Sequence, residues 1–149
     1  MSSKKVIILF SLVMLLLSAS AIYYFAVRER VAPPPVPDLT GMWIQAGADP
    51  SSDWYFTAEI TDEVIEVWKY RPSDDECVLY WTGTFTPPPA DAVGSYAWES
   101  VNDIPKAKTS MFASREPKKQ FTYSSKTGRI SFVETAGLMQ MGHALERAE

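Results

Sequence analysis

What most constrains this chain begins at Leu39: a series of short runs with period two, each ended by turn residues. In "WYFTAEI" (54–60), Trp54, Phe56, Ala58 and Ile60 fall on one side and Tyr55, Thr57 and Glu59 on the other. Successive side chains of a strand point to opposite faces, so this alternation predicts a strand buried on one face. "GMWIQAG" precedes it, and "VIEVWKY", "CVLYWTGTF", "SYAWESV", "KQFTYSS", "RISFVET" and "LMQMGHALERAE" follow. In the fourth run Leu79, Trp81 and Phe85 are expected to share a face. The intervening "ADPSSD", "TDE", "RPSDDE", "TPPPADAVG", "ND" and "KTG" are rich in residues that favour turns.

The stretch "IPKAKTSMFASREP" has two readings. Asp103 caps a helical turn with Pro105 inside its first turn, which is the preferred one. Otherwise "KTSMFAS" is an eighth strand. The fold class expected is all-β: a small antiparallel meander of seven or eight strands, closed as a barrel or folded as a sandwich. Either arrangement hides strand edges that would otherwise invite aggregation.

Ahead of this domain, Lys4 and Lys5 precede a run without charges from Val6 to Val27. At ~1.5 Å rise per residue it spans roughly 33 Å, enough for a hydrocarbon core of about 30 Å. One N-terminal transmembrane helix (6–27) within a segment 1–30 is therefore expected, either as a signal anchor or as a signal peptide cleaved after Ala21. The lysine pair holds the amino terminus inside, which places the remainder outside: a single-pass membrane protein, or a secreted one if cleaved. Residues 31–38, "VAPPPVPD", read as a stiff polyproline spacer, and 39–149 as the extracytoplasmic domain.

Charge is partitioned along the chain. Residues 38–103 hold 13 acids against Lys69 and Arg71, a net −11. Residues 104–129 hold seven bases against Glu116, a net +6. Lys106, Lys108, Lys118 and Lys119 are the candidate binding residues of a basic face. Outside a membrane such a face suits an anionic envelope polymer, lipid headgroups or another surface protein, and not nucleic acid.

Two resemblances can be drawn. "LTGMWIQ" (39–45) resembles the first-strand Gly-x-Trp of lipocalins and the opening strand of the avidin group, both calycin-type barrels of eight strands. The resemblance implies that Gly41 and Trp43 belong to the closed end of a barrel, with an arginine of the last strand over the Trp. Arg147 is the candidate by position. The chain departs from lipocalins in lacking their later Thr-Asp-Tyr turn and flanking helix, and from avidins in lacking their biotin-contacting residues. "YWTGTF" and "FTYSSKTGRISF" are similar to stretches of uncharacterised, anchored, exported bacterial and prophage-encoded proteins, which implies a location and no activity.

Catalytic chemistry is thinly represented. His143 is the single histidine and Cys77 the single cysteine, so neither a cysteine-based zinc site nor an internal disulfide can form. Ser110 and Ser114 have no histidine near them in sequence, and no Gly-x-Ser-x-Gly elbow occurs. Asp74, Asp75 and Glu76 lack the alternating spacing of a calcium loop. His143 and Cys77 are expected to be packed strand residues. No enzyme, metal or cofactor is expected. Function then reduces to a membrane-tethered, non-enzymatic interaction module at the cell envelope, or a lipocalin-like binding protein for a small apolar ligand. A small closed barrel crowded by Trp43, Trp54, Trp81, Trp98 and Phe132 favours the former.

Overall fold

In the computed structural model the described residues are 14, 16–18, 20, 22–24 and 33–148. They belong to two units, residues 1–33 and 34–149. In the first, the described residues before 33 are helical. Among the described residues no helix is long and apolar enough to cross a membrane. Most of the expected span 6–27, with the cleavage point at Ala21 and the flanking Lys4, Lys5, Arg28 and Arg30, lies outside the described residues.

The second unit is a closed antiparallel barrel of eight strands in sequential order. The strands are β1 (Gly41–Gln45), β2 (Tyr55–Thr61), β3 (Val64–Arg71), β4 (Glu76–Thr84), β5 (Ser95–Asn102), β6 (Lys118–Ser124), β7 (Arg129–Ala136) and β8 (Met139–Arg147), with one helical turn, α1 (Ile104–Ala107), between β5 and β6. Closure comes from β1 pairing with β8, Trp43 opposite Arg147 and Gln45 opposite Leu145. This resolves the sandwich alternative in favour of the barrel. It also assigns "KTSMFAS" to a loop: Asp103 caps α1, accepting from the Lys106 amide, with Pro105 in the first turn.

Alternation fills the interior. Phe56, Ala58 and Ile60 of β2, Ile65 and Val67 of β3, Trp98 of β5, Phe121 and Tyr123 of β6, Ile130 and Phe132 of β7 and Leu145 of β8 are all buried. Their rings interlock: Trp98 stacks on Phe121 at 5.6 Å, and Phe121 meets Phe132 at 5.5 Å. Trp54 departs from the expected face, because it precedes β2 and packs against the Arg71 guanidinium at 4.6 Å. Cys77, expected to be packed, is exposed on β4.

β4 breaks its own alternation. Trp81 pairs with Val67 and Leu79 with Trp68, so Tyr80 is the extra residue of a bulge. Such a bulge turns consecutive side chains to one face. Tyr80 and Trp81 are accordingly both buried, and Leu79 does not join the interior. Two residues farther on, a Cβ at Gly83 would lie 2.5 Å from the Val101 carbonyl oxygen. Only glycine allows β5 to approach there, and the approach also brings Ser100 within 3.0 Å of the Trp81 indole N–H.

Strand order defines two ends. Loops 62–63, 85–94 and 125–128 lie at one end, with the chain's entry into β1 and exit from β8. Loops 46–54, 72–75, 103–117 and 137–138 surround the other, here called the mouth. Pro34–Val36, read from sequence as spacer, belong to the domain: the Val36 amide donates to the Ala92 carbonyl and the Gly94 amide to that of Pro34.

Candidate functional site

At the first end, Leu39 and Trp43 are buried and the Trp43 indole N–H donates to the Leu39 carbonyl at 2.9 Å. Arg147 places its guanidinium carbon 5.0 Å from the Trp43 ring centroid and donates to the carbonyls of Thr40 and Asp38 at 2.9 and 2.6 Å. Gly41 has φ +118°, and a Cβ there would lie 3.2 Å from an Arg147 terminal nitrogen. The structure thus brings Gly41, Trp43 and Arg147 together as a seal. Asp38 turns its carboxylate onto the Thr40 amide and hydroxyl, which, with Arg147 nearby, hold it below the usual carboxylate range.

The four lysines named from sequence do not form a common basic face. Lys106 pairs with Glu66, and Lys118 with Glu99 at 2.6 Å. Lys108 is exposed beyond α1. Lys119 is the clearest correction, since its side chain is only 3% exposed and points into the barrel. Its ammonium donates to Glu116 at 2.5 Å and to the Val133 carbonyl at 3.0 Å, and lies 5.3 Å from the ring centroids of both Tyr80 and Trp81. The reason was visible in "KKQFTYS": Lys119 shares its parity with Phe121 and Tyr123. Acids of β3, β5 and the β5–β6 loop pair with Lys106, Lys118 and Lys119, so three of the four lysines are offset in space.

Toward the mouth the interior becomes polar. Lys69 of β3 pairs with Glu134 of β7 at 2.5 Å, and the other Glu134 oxygen lies 3.2 Å from His143 Nε2 of β8. Burial, partly offset by Glu134, holds the imidazole below its ordinary value, and the ring packs on Phe56 and Phe132. Tyr80 sits between the two ammoniums, with Lys69 5.6 Å from its ring centroid. Its hydroxyl is buried with no hydrogen-bond partner among the described residues. Burial, then the charges of Glu134 and Glu116, push the phenol far above its ordinary value, against a smaller opposing effect of the nearby Thr135 backbone.

Sequence reasoning missed Lys69, Glu134 and Tyr80. For Lys69 and Glu134 the signal was present as parity with Ile65 and Val67, and with Ile130 and Phe132. For Tyr80 there was none, because the bulge belongs to the β3–β4 register. Above this polar layer a cleft of about 330 Å³ opens at the mouth, lined by Trp54, Lys69, Arg71, Val78 and Phe112. The most exposed apolar residues of the domain rim the same end: Leu138 at 105%, Met111 at 89% and Met139 at 66%.

Among the described residues no group of three or more His, Cys, Asp or Glu is placed to hold a metal ion. The closed eight-stranded antiparallel architecture is compatible with a calycin-like fold. No protein-family model, curated protein or solved structure matches this chain.

Proposed function

We propose that the β-domain is a non-enzymatic interaction module, carried at the cell envelope by an N-terminal signal anchor, which meets another surface protein with the mouth of its barrel. The observation that carries this reading is where apolar surface lies. The interior is occupied by interlocked rings from Trp43 to Phe132, whereas Met111, Phe112 and Leu138 of two mouth loops, with Met139 at the start of β8, are exposed to solvent. Exposed apolar groups gathered at one end, rimmed by charge, are the usual mark of a contact surface. Within the domain the chain enters β1 at the sealed end, where Arg147 binds the Asp38 carbonyl, and the mouth is the opposite end of the barrel. An apolar ligand carried inside is the weaker reading, because the rings leave it little room.

A photo-crosslinking residue in place of Phe112 or Leu138 in the full chain, in its native cells, tests the contact. A discrete crosslinked product from both positions, and none from Thr57 on the barrel wall, is expected. Products from Thr57 alone would overturn the mouth as the contact surface. External protease on spheroplasts carrying a C-terminal tag should digest the tag, and protection would overturn the location.

A further inference from the structure

We propose that the seam between β6 and β7 is a binding site for a small carboxylate, which takes the seat that Glu116 fills in this structure. The seam begins where the β6–β7 ladder ends, at Phe121 opposite Phe132. Beyond that pair the strands continue as Lys118–Gln120 and Val133–Ala136 without pairing, and a cleft of about 220 Å³ opens between them. Glu116, Lys119, Gln120, Val133, Thr135 and Gln140 are among its lining residues. The volume lies below the usual range for drug-sized ligands, so the occupant is of metabolite size, about that of an amino acid.

The chemistry follows from counting donors. An ammonium has three N–H groups. Lys119 spends one on Glu116 and one on the Val133 carbonyl, leaving a third. Tyr80, only 3% exposed, holds its ring centroid 5.3 Å from the same ammonium, and its hydroxyl has no hydrogen-bond partner among the described residues. Both Glu134 oxygens are engaged, by Lys69 and His143. The third Lys119 N–H and the Tyr80 hydroxyl are therefore donors that an occupant with oxygen acceptors would engage.

Glu116 indicates which acceptors. It belongs to the β5–β6 loop, its side chain is 38% exposed, and its carboxylate takes hydrogen bonds from Lys119 and Ser114. Burial alone would raise its pKa, but these bonds, with Thr135 and the Lys119 charge, outweigh it and hold the carboxyl low. A carboxylate thus already sits on the buried ammonium, attached to a loop that reaches solvent. An external carboxylate exchanging with it keeps the charge balance of the seam, and one oxygen placed deeper gains the Tyr80 proton. A dianion such as phosphate adds a second charge that Glu134 and Glu116 repel. This site is built on Lys119 and the open β6–β7 seam, whereas the mouth contact is built on Met111, Phe112, Leu138 and Met139, so either can fail alone.

Titration of the full chain, kept in non-ionic detergent at fixed ionic strength, with acetate and propionate tests the proposal, with acetamide and phosphate as controls. Saturable binding of the carboxylates is expected, with none of acetamide. Glu116→Gln should tighten it about tenfold and Tyr80→Phe weaken it about tenfold, with far-ultraviolet circular dichroism unchanged. Equal binding of acetamide, or an unaltered constant in both variants, would overturn the site. Should a variant fail to fold, amide shifts in the wild-type chain decide. Perturbation by acetate centred on Gln120, Val133 and Thr135 supports the seam, and perturbation confined elsewhere refutes it.

Discussion

The guanidinium of Arg147 covers the ring of Trp43 at 5.0 Å while its two terminal nitrogens bond the carbonyls of Thr40 and Asp38. One side chain thereby ties the last strand to the first strand and to the segment leading into it. The two residues are also directly opposite in the β1–β8 ladder, the pairing that closes the barrel. Edge-on contact of Tyr123 with Trp43 at 6.3 Å carries the seal across to β6.

Trp43→Ala should destabilise the domain by about 3–5 kcal/mol, the range for removing a large buried aromatic. Arg147→Ala should cost about 1 kcal/mol, because the guanidinium is solvent-exposed and its cation–π contact is worth less there. A double-mutant cycle in urea should return a coupling of about 0.5–1 kcal/mol. Strict additivity would mean that the two share geometry without sharing energy.

Gly41→Ala should destabilise by about 1–3 kcal/mol, since φ +118° is a conformation that side chains other than glycine rarely adopt. Part of that cost is the approach to Arg147, so adding Arg147→Ala should relieve some of it. Thermal melts of the two backgrounds separate backbone strain from steric contact.

Replacing the two members of the seam pair should have unequal effects. Lys119→Met removes a buried charge, fills its volume with apolar atoms and leaves Glu116 able to turn to water; a change within about 1 kcal/mol is expected. Glu116→Ala leaves the buried ammonium with the Val133 carbonyl alone and should cost about 1–3 kcal/mol. Equilibrium unfolding of both should show the acid, not the base, as the costlier loss.

Stability should fall on acidification in two stages. His143 titrates below its ordinary 6.5 in the fold because burial disfavours the imidazolium, more than Glu134 favours it, with Lys69 adding to the depression. Between that lowered value and 6.5 the unfolded chain binds a proton that the fold refuses. The contribution is therefore complete above 6.5 and is lost as pH falls through the lowered value. Glu116, also held low, loses its share only below its ordinary 4.5. His143→Gln should flatten the upper stage of a melting-temperature profile and leave the lower one intact.

Much of this architecture is local in origin. Period-two runs mark the strands because each must bury one face, and Asp103 with Pro105 starts a helical turn wherever it occurs. Parity even marks Lys69, Lys119 and Glu134 as inward, against the habit of assigning every charge to the surface. Other features have no local cause. Whether eight strands close or stack depends on β1 meeting β8, more than a hundred residues apart in sequence. The Tyr80 bulge exists only in register with Val67 and Trp68, and the seam only because β6 and β7 stop pairing at Phe121 and Phe132. Lys118 met Glu99 through the β5–β6 pairing: a strand's own sequence determines which side chains share a face, while its neighbours determine what that face touches.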